Sequence, residues 1–243
     1  MPTRPDPTAT DGWGGSLENR ARLLLEVVAA VRKAVGPAYP VAVKLNSSDF
    51  VKGGFTLDES LQVVKWLGEA GIDLLEVSGG TYEQLEFFKP QTEIRESTRA
   101  REAMFLKYAA AIKAVARMPI MVTGGFRTLA GMEAALASGD ADLIGLARPF
   151  CVAPDFPARL LAGTMDSLPV DEDRLVLGTG FWGPNSSSTT LRALNNQAQA
   201  GWYYHQIERL GAGQSPEPGR SPLRSLMAHF GADFVRAMRR KLA

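Results

Sequence analysis

The sequence predicts an α/β protein on a parallel sheet, followed by a helical tail. Short apolar runs alternate with stretches of helical spacing between residues 12 and 162. The connections between them are too brief to part separate domains. Two of the runs repeat one design, an apolar strand, a glycine and an Arg: Pro119-Ile120-Met121-Val122-Thr123-Gly124-Gly125-Phe126-Arg127 and Asp142-Leu143-Ile144-Gly145-Leu146-Ala147-Arg148-Pro149. Apolar runs of this length between helices are expected to be strands buried on both faces. The glycines would let the backbone turn tightly and approach a ligand. With exposed N–H groups and an Arg beside each, the pair suits a phosphate cradle. Ordinary strand-to-helix turns are the competing reading. Only four strands are visible, whereas a closed (β/α)₈ barrel needs eight.

Residues 1–11 are rich in Pro and Thr and are expected to be irregular. Ser16 is a good N-cap, and Glu18 suits the positive helix start. Leu17, Ala21, Leu24, Leu25, Val28, Val31 and Val35 keep helical spacing up to Gly36-Pro37. Val41-Ala42-Val43-Lys44-Leu45 is the first strand. Lys44, inside this apolar run, is either solvated at a sheet edge or points to a polar cavity, and the cavity is favoured because burying an unpaired ammonium is costly. Thr56-Leu57-Asp58-Glu59 is a capping box opening the next helix, which ends at Gly71. Ile72 to Val77 is the second strand. Its Glu76 either pairs with Lys44 across the sheet or faces a ligand with it, and pairing is favoured.

Thr81 to Arg99 is long and charged, without clear period; such connections are often functional. A third helix is expected from about Thr98, with Phe105, Tyr108, Ala109, Ile112 and Val115 on one face. The helix between the last two strands starts at Thr128 and ends at Gly139, and a short one spans Asp155–Leu161. The tail is rich in Gly, Pro and Ser from Asp166 to Ser188. Leu191, Leu194, Ala198, Trp202 and His205 mark one tail helix. Gly211 to Pro222 is expected to be a flexible linker. Leu223, Leu226, Met227, Phe230, Phe234, Val235 and Met238 mark a final amphipathic helix with a basic end. The expected divisions are 1–11, 12–163 and 164–243.

The 243 residues carry a net charge of +1, so nucleic acid and acidic membranes have no electrostatic support. No apolar run approaches the roughly 18 residues of a membrane span. No signal peptide is evident at Met1, and a cytoplasmic location is expected. Cys151 is the single cysteine, which fits a reducing compartment and a packing role. A zinc site is not expected.

Four motifs, in order, resemble the C-terminal half of the Old Yellow Enzyme family of FMN-dependent NAD(P)H oxidoreductases. They are Trp13-Gly14-Gly15-Ser16-Leu17-Glu18-Asn19-Arg20-Ala21-Arg22; Val43-Lys44-Leu45-Asn46-Ser47 with Gly53-Gly54-Phe55; Leu75-Glu76-Val77-Ser78-Gly79-Gly80-Thr81-Tyr82-Glu83; and the Thr123-to-Arg127 and Gly145-to-Pro149 pair. The resemblance covers about residues 11–163. It implies an incomplete TIM barrel whose four strands are strands five to eight. It implies FMN, with NADH or NADPH as hydride donor and a small-molecule substrate such as an activated alkene.

The resemblance also implies roles. Lys44 would lie against the flavin ring. Gly124 and Gly125 would offer N–H groups to its phosphate, and Ala147 and Arg148 would complete that site. No catalytic residue is assigned: the family's substrate-polarising pair and proton-donating Tyr belong to strands that have no counterpart here, and no histidine precedes His205. Pro7 and Ala9 stand where the family usually carries Asn and Arg. The expectation is a truncated chain that self-associates or needs a separate N-terminal half. A non-catalytic relic is the alternative, and another phosphate-binding barrel enzyme a weaker one.

Overall fold

The computed structural model describes residues 11–49, 53–78 and 108–241, with side chains as far as Gly231. The Gly79-Gly80 turn, the Thr81–Arg99 segment, the start of the third helix and the basic side chains at the C-terminal end lie outside the described residues. The elements are α1 (Leu17–Val35), β1 (Ala42–Asn46), α2 (Leu57–Glu69), β2 (Leu74–Ser78), β3 (Ile120–Thr123), α4 (Leu129–Ala137), β4 (Leu143–Gly145), α5 (Phe156–Leu161), α6 (Thr189–Gly211) and α7 (Pro222–Lys241). Residues 108–113 are also helical and are termed α3. The predicted caps form. Ser16 Oγ accepts from Asn19 N–H at 3.3 Å. Thr56 and Glu59 make the reciprocal capping box.

The sheet is fully parallel, in the order β1-β2-β3-β4. This is half the strand complement of a (β/α)₈ barrel. Its core lies on one face only. Val43, Leu45, Leu75, Val77, Ile120 and Val122 are buried, while the alternate positions Ala42, Lys44 and Leu143 are exposed and Leu74, Glu76, Met121 and Thr123 half-buried. The expectation of strands buried on both faces is therefore corrected. In a closed barrel the inward rows meet strands from the opposite wall; four strands cannot supply that wall, so burial alternates.

The residues form two compact units. The first holds the sheet with α1–α3 and most of α4, and ends at Leu146; the second takes Arg127–Leu129 and the chain from Ala147 onward. In the first unit one device occurs twice. Asp73, just before β2, accepts from Val41 N–H at 2.7 Å and from Arg32 at 2.5 Å. Asp142, just before β4, accepts from Ile120 N–H at 2.8 Å and from Lys113. Each carboxylate ties the start of one strand to the next, and these bonds hold both aspartates below the usual carboxylate range.

In the second unit, residues 166–168 run antiparallel to 127–129, through Leu129 N–H to Asp166 O at 2.8 Å and Leu168 N–H to Arg127 O at 2.7 Å. α6 and α7 pack closely at Gly201, where a Cβ would lie 3.0 Å from Ser225 O. The linker expected to be flexible is pinned to α6. Gln206, fully buried, bonds Glu217 N–H at 2.7 Å and Glu217 O at 3.2 Å. Trp202 Nε1 donates to Arg220 O at 3.1 Å. Gly and Pro content signalled an irregular path, but the buried Gln206 amide and Trp202 indole on α6 fix that path. Of the apolar positions on α7, Leu226 is buried, whereas Leu223, Met227 and Phe230 are exposed.

Candidate functional site

Lys44 and Glu76 face each other because β1 and β2 are in register at these positions. Lys44 Nζ donates to Glu76 Oε1 at 2.6 Å on the open face of the sheet, and the Lys44 side chain is 57% exposed. The favoured pairing is thus the observed one. At this exposure such a pair adds little stability, so its more telling property is a fixed cation on the uncovered face.

At the C-terminal end of β3 the chain turns through Gly124 (φ 122°) and Gly125 (φ 79°). Successive positive φ values are strained for any side chain, so both glycines are dictated by the turn. In TIM barrels, turns at this end of the strands are where phosphate is commonly held. Gly145 has a different reason. A Cβ there would overlap Thr123 Oγ1 and lie 2.8 Å from Thr123 Cβ. Its smallness serves strand packing and not the approach of a ligand.

In the second unit, Ala147 precedes a 3₁₀ turn, Arg148–Cys151, and its carbonyl accepts from Phe150 N–H at 3.1 Å. Arg148 Nη1 donates to Glu172 Oε1 at 2.5 Å, and Arg127 Nη2 donates to the same oxygen at 2.8 Å. Glu172 is 5% exposed. The neighbouring carboxylate of Asp171 is held by Arg174 at 2.6 Å. Tyr203, on α6, also faces this cluster: burial above all, and then the charge of Glu172, pushes its phenol far up, opposed by Arg148 and Arg127. Cys151 is half-buried, and burial pushes its thiol up. This fits packing rather than reactivity.

Lys44, Gly124 and Gly125 thus belong to the first unit, and Ala147 and Arg148 to the second. Glu172 was missed in the sequence because it sits in the charged run Asp171-Glu172-Asp173-Arg174, which has the look of a solvated turn. Its partners are 45 and 24 residues away. Four consecutive charges inside a Gly- and Pro-rich connection are the one signal that could have drawn notice. Among the described residues no group of His, Cys, Asp and Glu could hold a metal ion, and no helix is long and apolar enough to cross a membrane.

Comparisons with known proteins match the first two thirds of the chain. The NADH-dependent flavin oxidoreductase iliE of Neonectria sp. (strain DH2) is 41% identical over 154 residues, which is 61% of this chain and 20% of that protein. The NADH-dependent flavin oxidoreductase nadA of Aspergillus parasiticus is 39% identical over 155 residues, 63% of this chain and 34% of that protein. The solved 2-naphthoyl-CoA reductase complex with 2-naphthoyl-CoA superposes with a TM-score of 0.56 at 31% identity, over 64% of this chain and 23% of the other. The chain therefore spans about a fifth to a third of the length of these relatives. The NADH:flavin oxidoreductase / NADH oxidase family matches residues 7–167, with the four motifs, the parallel strands and the Gly124-Gly125 turn all inside the matched span, and the chain belongs to that family.

Proposed function

We propose that this chain is the FMN-binding part of an NAD(P)H oxidoreductase of Old Yellow Enzyme type, acting on a small acceptor such as an activated alkene. The observation that carries the reading is the Gly124-Gly125 turn at the end of β3, where two successive positive φ values free the backbone to meet an anion. A phosphate fits that turn chemically, and Arg148 is always charged and can bind phosphate with two parallel N–H bonds. Lys44, with Glu76 beside it, supplies a fixed cation for the ring. Within the first unit, Gly124 and Gly125 are the proposed phosphate contacts. Bound FMN supplies the hydride-transfer chemistry; the chain binds, orients and tunes. No catalytic acid is assigned to this chain.

A second reading has its own support: the chain works with a complementary half or with a second copy of itself. The open sheet face favours it, as does the row Leu23, Val27, Val31 and Val35 on α1, spaced at four residues and 39–57% exposed. Aligned apolar side chains of this kind mark a surface meant to be covered.

The test is visible absorption of the purified chain before and after adding FMN, followed by desalting. A retained flavin band supports the first reading. A colourless chain overturns autonomous binding. Adding a first-half polypeptide of the family then separates a subunit, which regains flavin and NAD(P)H oxidation, from a relic, which does not.

A further inference from the structure

We infer that Glu172 is a positioning residue for anion recognition, whose buried carboxylate gathers Arg127 and Arg148 into one guanidinium pair. The inference rests on the FMN reading above but adds a residue that lies beyond the matched span, which ends at 167. Arg127 follows the Gly124-Gly125 turn, and Arg148 follows β4. Two guanidinium groups repel, and left to themselves long side chains spread into water. Here both point to a single oxygen, Glu172 Oε1, at 2.8 Å and 2.5 Å. The side chains of Arg127 and Arg148 are only 18% and 31% exposed, and that of Glu172 only 3%.

The carboxylate is itself held in place. It belongs to the tight turn Asp171–Asp173, followed by Leu175, which is 1% exposed. Asp171 is occupied by Arg174, so it does not compete for the pair. Tyr203, on α6, lies near enough for the charges of Glu172, Arg148 and Arg127 to act on its phenol. The tail thereby fixes the orientation of two arginines that originate in the barrel-like repeats. A guanidinium whose plane is set in advance loses less freedom when it meets a phosphate. The ligand chemistry is a phosphate monoester, and the phosphate of FMN is the case to test.

The experiment measures the affinity of the full chain for FMN and for riboflavin, which lacks the phosphate, by quenching of flavin fluorescence. Glu172→Gln keeps the shape and removes the charge. Its FMN affinity should fall about tenfold or more, the loss expected for one charge-assisted contact, while riboflavin affinity stays unchanged. A merely structural role would weaken both flavins alike and overturn the inference. So would an unchanged FMN affinity, or a tighter one, which would make Glu172 a competitor of the phosphate. If circular dichroism finds Glu172→Gln unfolded, Arg127→Lys decides: it keeps the charge but loses the fork. FMN affinity should fall several-fold with riboflavin unchanged, and an equal FMN affinity overturns the inference. If the unsubstituted chain binds neither flavin, the FMN reading falls first and this inference with it.

Discussion

Substitution of Gly145 by Ala tests the packing of β4 against β3 directly. The added Cβ would lie 2.8 Å from Thr123 Cβ and 3.2 Å from Thr123 Cα. Carbon atoms rest at about 3.5–4.0 Å, so relief needs nearly an ångström of separation between hydrogen-bonded strands. Because one offending atom is backbone, a change of rotamer at Thr123 cannot give it. Overpacking of this kind costs about 1–3 kcal/mol, and this geometry argues for the upper end. Thr123→Ala removes Oγ1 and leaves less to clash with. It also removes a buried hydroxyl that has no hydrogen-bond partner among the described residues, so alone it should be close to neutral. Urea unfolding followed by far-ultraviolet circular dichroism reads both effects. With a slope of about 2 kcal/mol per molar, Gly145→Ala should lower the midpoint by about 1 M or more. The double variant should recover the part of that loss due to Oγ1, while the contacts with Cβ and Cα of residue 123 remain. A Gly145→Ala midpoint within 0.2 M (roughly 0.4 kcal/mol) of the parent, or additive single effects, would refute the argument.

Two further predictions follow from bonds described above. Asp73 is held below its ordinary value first by Val41 N–H and then by Arg32, and Asp142 first by Lys113 and then by Ile120 N–H. A depressed folded value contributes stability above the ordinary carboxylate value, near 3.8, that is lost as pH falls through the lower folded value. The unsubstituted chain should therefore lose stability below about pH 4, and the double variant Asp73→Asn/Asp142→Asn should show a flatter acid limb in a melting-temperature profile. In the tail, Asn195 is 3% exposed and bonds Leu177 N–H, Trp182 O and Leu191 O at 2.9, 3.0 and 2.9 Å. Asn195→Ala removes the partner of a half-buried N–H and of a carbonyl, at a cost of about 1–3 kcal/mol, and should lower the tail's thermal midpoint by several degrees.

The local code was legible where one or two neighbouring residues decide the outcome. Ser16, Thr56 with Glu59, Gly36 and Gly139 mark helix ends through caps that act over three or four residues. The strands could be located but not their burial. An apolar run is equally consistent with one covered face or two, and which holds depends on how many strands close the sheet. Lys44 and Glu76 announced a charge inside the sheet, but their partnership needed the β1–β2 register. Gly145 resembled the ligand-approach glycines, yet its cause is Thr123 on the neighbouring strand. The tail was least legible. Glu172, Asn195 and Gln206 act through partners up to 45 residues away, and no periodicity links such partners.

The paired aspartates show how a sheet of this kind holds its register without closing into a barrel. α1, β1, α2 and β2 form one unit, and α3, β3, α4 and β4 repeat it. In each, a glycine with positive φ ends the second helix, Gly71 in one and Gly139 in the other. In each, an Asp follows it and binds backwards to the start of the preceding strand and to a cation on the first helix, Arg32 on α1 or Lys113 on α3. The same Asp N–H donates to the chain at the start of that strand, to Val41 O at 2.8 Å or Ile120 O at 2.9 Å. Two adjacent strands and the helix before them are thereby tied at one point, at the end of the sheet opposite the Gly124-Gly125 turn. On the proposed FMN reading, stability and ligand contact would be divided between the two ends of the strands, as in complete barrels. On that reading, a change at the Asp end should move stability while leaving flavin affinity alone, whereas a side chain at Gly124 or Gly125 should weaken flavin binding and, being strained there, lower stability as well.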